Sequence, residues 1–252
     1  MPLGPVGQPI DADGVVVEKA IMELYFVLNR PIVPENIGSA ARAIGTMGWS
    51  RLRLVNPCSH LQDRARWMAT HSTAVLEGAQ VFEELPQALS DLDFSVATTA
   101  RNRKRHQDAL SPRALAEALQ EKSDSASGVG LVFGPEDCGL SNSELALCDV
   151  VSTIPTSGNH ASLNLAQAVM IYAYELSIPH PSRNSDGERK FAKRRSQKAL
   201  QEKFALLLGW LELPEEDPVR LRLRRRLALL RDADVRLAHF LVNAALRKLG
   251  RE

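Results

Sequence analysis

Between residues 22 and 177 short apolar runs alternate with helical patterns, and few folds accept that order. The runs cover residues 24–28, 52–55, 94–97, 129–133 and 150–154, each four or five residues long. Over residues 36–48, Ile37, Ala40, Ala41, Ile44 and Met47 recur at helical spacing, and Leu165, Ala166, Val169, Met170, Ala173 and Leu176 do the same after Ser162. Strands separated by helices are parallel, and helices cover both faces of the sheet they form. The expected class is α/β, with a parallel sheet flanked by helices.

That pattern stops near residue 178. Residues 178–187 (IPHPSRNSDG) concentrate Pro, Ser, Asn and Gly, the composition of a linker. The organisation read from this is a flexible lead-in over residues 1–20, an α/β domain over 21–178, a linker over 179–187 and a helical extension over 188–252. In the extension one helix is expected to end near Trp210 and a break falls at Leu213-Pro214. A second helix starts near Pro218, and the stretch 232–234 interrupts it or caps a third. So small a helical unit has little core of its own and must pack on the first domain or on another subunit.

Charge follows the same boundary. Residues 1–178 hold 13 Lys and Arg against 20 Asp and Glu, whereas residues 179–252 hold 18 against 10. A basic tail that includes Arg222, Arg224, Arg225 and Arg226 suits a polyanion, although a basic helical face is often simply solvated. No apolar run reaches the roughly 18 residues needed to cross a bilayer, and no signal peptide opens the chain, so a cytoplasmic protein without membrane contact is expected. Cys58, Cys138 and Cys148 have no CxxC spacing, and His60, His71, His106, His180 and His239 have no ligand spacing, so no metal is expected. The three tryptophans read as packing residues rather than base-stacking platforms.

Four segments carry candidate chemistry. In Asn36-Ile37-Gly38-Ser39-Ala40-Ala41-Arg42, Gly38 and Arg42 share one helical face, and an Arg so placed can hold a phosphate by paired hydrogen bonds. Gly38 and Gly45, costly inside a helix, suggest that something approaches closely. The run LVFGPEDCGL, residues 131–140, leaves a buried strand at Gly134. It then enters a helix with Ser141 as N-cap and Glu144 three residues on, a capping box. Gly134 would let a ligand lie against the backbone. In residues 154–166 (IPTSGNHASLNLA), Ser162 and Asn164 stand where a helix begins, and Ser162 reads equally as an N-cap. Thr98-Thr99-Ala100 ends a strand and is followed by Arg101, Arg103, Lys104 and Arg105, a cluster suited to phosphates. Dinucleotide and Walker phosphate loops are absent.

Together, NIGSAAR, TTAR, LVFGPEDCGL and IPTSGNHASLNLAQAV, in this order and spacing, resemble the SPOUT superfamily of RNA methyltransferases, most closely its TrmJ-like tRNA/rRNA 2′-O-methyltransferases. The likeness covers about residues 22–177. It implies a C-terminal trefoil knot, S-adenosyl-L-methionine as methyl donor with S-adenosyl-L-homocysteine as product, and a homodimer acting on tRNA or rRNA. By the same likeness, cofactor contacts fall on Thr98, Thr99, Ala100, Gly134, Ile154, Ala161, Ser162 and Leu163, and Arg42 leads the catalytic set with Asn36, Ser162 and Asn164. Arg42, Arg101, Arg103, Lys104 and Arg105 would meet RNA, and Glu136 would help shape the pocket. Arg42 would act on cofactor bound mainly by the other protomer. The chain departs from the family pattern at Pro135, where relatives often carry Arg, at His160-Ala161 in place of Tyr-Ser, and in its leading 20 residues. A non-catalytic knotted RNA-binding protein is the alternative reading.

Overall fold

The leading strand, β1 (Glu23–Asn29), is apolar enough to be covered on both faces, and it stands inside the sheet. The structure is a computed structural model that describes residues 22–100, 109–122, 127–157, 162–178, 194–214, 217–230 and 232–249. The lead-in, the linker, the start of the helix expected from residue 188, and Arg101, Arg103, Lys104, Arg105 and Ala161 lie outside the described residues.

After β1 come α1 (Pro34–Thr46), β2 (Arg51–Val55), α2 (Asp63–Ala69), α3 (Thr73–Glu77), β3 (Gln80–Phe82), α4 (Leu85–Leu89) and β4 (Phe94–Thr98). Then follow α5 (Pro112–Lys122), β5 (Gly128–Phe133), α6 (Asn142–Leu147), β6 (Val150–Ser152) and α7 (Leu165–Ser177). The six strands form one sheet in the order β3-β2-β1-β5-β4-β6, with every pairing parallel. Strand β3 was not legible as a run: Gln80-Val81-Phe82 forms a short edge with Val81 half exposed.

Alternation along β5 shows how the core is divided. Val129, Leu131 and Phe133 point to the face covered by α1 and α7, while Val132 points to the face covered by α4 and α6. On α1, Ile37, Ala40, Ala41 and Ile44 are fully buried, as their spacing predicts. Gly38 has a different use from the one expected. A side chain there would stand 2.0 Å from the Ala65 carbonyl oxygen, so the open position is filled by the backbone of α2 and not by a ligand. Gly45 in the same way meets the Ser72 hydroxyl.

Beyond the linker, α8 (Arg194–Trp210), α9 (Pro218–Ala228) and α10 (Asp232–Lys248) make a helical layer. Asp217 caps α9, and the stretch at 232 opens a third helix rather than interrupting the second. Leu200, Leu227, Val235, Val242 and Leu246 give this layer a small core of its own. It also rests on the α/β part: Arg224 donates from Nη1 to the Ala146 carbonyl at 2.9 Å, and Ala228 is buried in the main core. Among the described residues no helix is long and apolar enough to cross a membrane.

Candidate active site

Three strand ends, β4, β5 and β6, lie side by side at the carboxyl edge of the sheet, the place where open α/β sheets bind ligands. Each is fixed by hydrogen bonds the sequence supplies. Thr98 Oγ1 donates to the Val132 carbonyl at 2.9 Å, and the Thr99 amide donates to the Ser152 carbonyl at 3.0 Å, tying β4 to both neighbours. After β5 the chain makes a tight turn in which the Gly139 amide donates to the Pro135 carbonyl at 2.9 Å. Gly139 takes φ +64°, which glycine adopts without cost. A side chain at Gly134 would stand 2.3 Å from the Leu140 nitrogen, so glycine is required by the turn folding back on itself. That replaces the reading in which Gly134 makes way for a ligand alone.

These segments enclose a cavity of about 320 Å³. Of the eight residues singled out for cofactor contact, Thr98, Thr99, Ala100, Gly134, Ile154, Ser162 and Leu163 line it, and Ala161 lies outside the described residues. Pro135, buried, is part of the same wall. The floor is apolar: Phe133 and Tyr172 meet edge to face with ring centroids 5.6 Å apart. Tyr172 donates to Ser152 Oγ at 2.8 Å, and Ser152 donates on to the Leu110 carbonyl at 2.8 Å. Burial, only partly offset by the Ser152 hydrogen bond, pushes the Tyr172 phenol far above its ordinary value, so it stays neutral.

From one wall of the cavity a chain of hydrogen bonds runs to α1. Glu136 accepts from the Ile32 amide at 3.0 Å, the Val33 amide at 3.3 Å and Asn36 Nδ2 at 2.9 Å. Asn36 Oδ1 in turn accepts from Asn164 Nδ2 at 2.8 Å. Asn164 is the N-cap of α7, its Oδ1 accepting from the Ala166 amide at 2.9 Å, so Ser162 is a rim residue and not the cap. Two of the expected catalytic residues, Asn36 and Asn164, are thus in direct contact, and Glu136 holds the first of them. Arg42 does not line the cavity. Its side chain is on the exposed flank of α1, with no hydrogen bond or ion pair among the described residues.

A second clamp was visible in the sequence only as a capping box. Glu144 Oε2 accepts from the Ser141 amide at 2.7 Å, as the box requires, while Oε1 accepts from the buried Asn29 at 2.8 Å and pairs with Arg30 at 2.8 Å. Burial opposes its charge, yet these hydrogen bonds and Arg30 hold the Glu144 carboxyl below its usual value. The clamp fixes the end of β1 to the start of α6, immediately beyond the cavity turn. Among the described residues no cluster of His, Cys, Asp or Glu is arranged to hold a metal.

The SpoU rRNA Methylase family matches residues 23–174, and the C-terminal domain of the tRNA/rRNA methyltransferase LasT matches residues 194–249. The chain is similar to an uncharacterized tRNA/rRNA methyltransferase LasT of Escherichia coli (strain K12), with 41% identity over 224 residues, 88% of this chain and 96% of that protein. It is 40% identical over 153 residues to a tRNA (cytidine/uridine-2′-O-)-methyltransferase TrmJ of Pectobacterium atrosepticum, covering 61% of this chain and 63% of that one. The crystal structure of TrmJ from Z. mobilis ZM4 superposes with a TM-score of 0.61 at 30% identity, covering 88% of this chain and 98% of that one. The chain belongs to the SpoU rRNA methylase family.

Proposed function

We propose that this chain transfers a methyl group from S-adenosylmethionine to a ribose 2′-hydroxyl of RNA, with tRNA as the first substrate to test. The observation that supports the reading most is the convergence of four separated segments. Thr98 to Ala100, the Gly134 turn, Ile154 and the Ser162-Leu163 rim enclose one cavity, and Glu136, Asn36 and Asn164 join it to the helix of Arg42. A volume of about 320 Å³ with apolar walls and exposed backbone groups fits an adenosyl ligand. Thr98, Thr99, Ala100, Gly134, Ile154, Ser162 and Leu163 would hold it. When bound, S-adenosylmethionine supplies a methyl group on a positively charged sulfur and leaves as S-adenosylhomocysteine.

The chain's own residues align the nucleophile. Arg42, free of ion pairs among the described residues, offers a rigid fork of donors to the phosphate beside the target ribose. It is too weak a base to take the hydroxyl proton. Its role is to fix that phosphate, which accepts the proton, and to stabilise charge developing on the 2′-oxygen. Asn36 and Asn164, oriented by Glu136, position the sugar, with Ser162 at the rim.

The same reading includes a homodimer and a knot. Exposure of Arg42 away from its own cavity fits action on cofactor held mainly by a second protomer. Leu237, Phe240 and Leu241 form an exposed apolar stripe on α10, on the side opposite its buried Val235, Val242 and Leu246, and fit a subunit contact. A threaded C-terminal part accords with α7, which leaves the β6 edge and returns across the sheet to pack on α1. Calorimetry with S-adenosylmethionine and tritium transfer to bulk RNA test the proposal. Both binding and transfer are expected, and Arg42→Ala is expected to abolish transfer with cofactor affinity within a few-fold. Binding without transfer by the unaltered chain would instead favour a non-catalytic RNA-binding protein.

A further inference from the structure

Helix α2 carries the most exposed tryptophan of the described residues. Ala65 and Ala69 bury its inner face against α1, while Trp67 stands 73% exposed and Leu61 and Met68 beside it are 43% and 42% exposed. Trp67 makes no ring contact among the described residues, so it is not the packing residue its type suggested. Trp49 is: its indole nitrogen donates to the Ala173 carbonyl at 3.1 Å.

The position of Trp67 relative to Arg42 follows from three contacts. Arg64 on α2 pairs with Glu35 on α1 at 3.3 Å, Gly38 abuts Ala65, and Gly45 abuts Ser72. The two segments therefore run side by side in the same direction. Arg42 lies seven residues, two turns, beyond Glu35, so it shares the flank of that residue. Met68 lies four residues beyond Arg64 and shares its flank, and Trp67, opposite the buried Ala65 and Ala69, stands on the crest of the helix beside it. The Glu35–Arg64 pair joins those two flanks into one surface. Helices packed this closely have axes roughly 8–10 Å apart, so the indole and the guanidinium are separated by a span that a few nucleotides of single strand would cover.

We propose that the α2 flank carrying Trp67 is a stacking platform for an unpaired base of the RNA strand whose ribose Arg42 addresses. The inference rests on the RNA-methyltransferase reading above for the identity of the strand. An aromatic face accepts any base, which makes it suited to holding a neighbour of the target nucleotide rather than selecting it. Surroundings favour RNA over a second protein surface. The cores of subunit interfaces are depleted in charge, whereas Asp63, Arg64 and Arg66 interleave with the apolar side chains of this helix. The close seat of Ala65 on Gly38 holds the platform on α1, and exposed ion pairs from Arg64 to Glu35 and from Arg66 to Glu77 flank it.

The test uses the full chain with Trp67→Ala and Trp67→Phe, bulk tRNA as probe, and three readouts: tRNA affinity, cofactor affinity by calorimetry, and oligomeric state by sedimentation. Trp67→Ala is expected to weaken tRNA binding by about five- to 150-fold, the worth of one stacked base, with Trp67→Phe within a few-fold of the parent. Cofactor affinity and oligomeric state are expected to stay unchanged. Equal tRNA affinity for Trp67→Ala and the parent overturns the proposal, and so does a shift of Trp67→Ala to a smaller oligomer, which would make this flank a subunit contact. Failure of the methyltransferase reading looks different: the parent would bind tRNA through Trp67 yet transfer no methyl group. A parent that binds no tRNA overturns the stacking proposal and leaves rRNA as the substrate for the transfer assay.

Discussion

Substituting Gly38 by alanine separates two explanations of a glycine inside a helix, because they predict opposite signs. Were the open side of Gly38 turned to solvent or to a ligand, alanine would strengthen α1 by about 1 kcal/mol through helix propensity. The contact on that side is instead the α2 backbone, with the Ala65 carbonyl oxygen, carbon and Cα at 2.0, 2.8 and 3.0 Å from the position of an added methyl. Restoring a normal separation of roughly 3.5 Å would push α2 away by about 1.5 Å, and no side-chain rotation relieves it. Overpacking of this kind costs about 1–3 kcal/mol, more where backbone must move. Since it is the α2 backbone that must move, the upper part of that range applies, about 2–3 kcal/mol, and subtracting the propensity gain of about 1 kcal/mol leaves a net loss of about 1–2 kcal/mol. In urea unfolding, with a slope of roughly 3 kcal/mol/M for a chain of this size, the midpoint should fall by about half a molar at unchanged slope. A midpoint that rises would refute the packing account and return Gly38 to the ligand side.

Further outcomes follow from the hydrogen bonds around the cavity. Glu136→Gln sets an amide donor against the donors of Ile32, Val33 and Asn36, and losing one charge-assisted bond corresponds to about a tenfold to 150-fold fall in kcat for methyl transfer. An unaltered kcat would mean that Glu136 does not position Asn36 for the reaction. Glu144, whose folded pKa is depressed, contributes stability that is complete above the ordinary glutamate range and is lost as pH falls through the depressed value. Acid unfolding of Glu144→Gln should accordingly be shallower than that of the parent, and identical acid limbs would contradict this. Iodoacetamide should label exposed Cys138 well before Cys148, whose thiol burial pushes up to about 12. A hydrogen bond to Asp137 holds the Cys138 thiol above its usual value as well, so its labelling should be slow at neutral pH and accelerate as pH rises. Because Cys138 lines the cavity, S-adenosylmethionine should slow that labelling, as peptide mass spectrometry would register.

What the sequence made legible was the part governed by periodicity and local rules. The buried faces of α1 and β5 follow from spacing alone, and the Ser141–Glu144 capping box is a four-residue pattern with one outcome. Long-range partners carry no such signal. Nothing near Glu136 announces that its carboxylate closes onto amides about a hundred residues earlier, nor that Glu144 accepts from Asn29. Glycine was the most misleading residue, because its absence of a side chain says that something is close without saying what. At Gly38 it is another helix, at Gly45 a serine, and at Gly134 the chain itself. Tryptophan misled in the opposite sense: residue type suggests burial, and only the packing of Ala65 and Ala69 against α1 turns Trp67 outward.

These contacts give α1 an unusual load for thirteen residues. Its inner face fills the core, Gly38 and Gly45 seat the segment that bears Trp67, and Asn36 hangs from the cavity turn by way of Glu136. Only the flank of Glu35 and Arg42 is left to face outward. Glu136 ties the cavity turn to the first turn of α1, and Arg42 lies two turns from Glu35 along the same helix. Two ties therefore join the cavity side to the helix of Arg42, the Glu136 carboxylate and the Asn164 amide, and both close on Asn36.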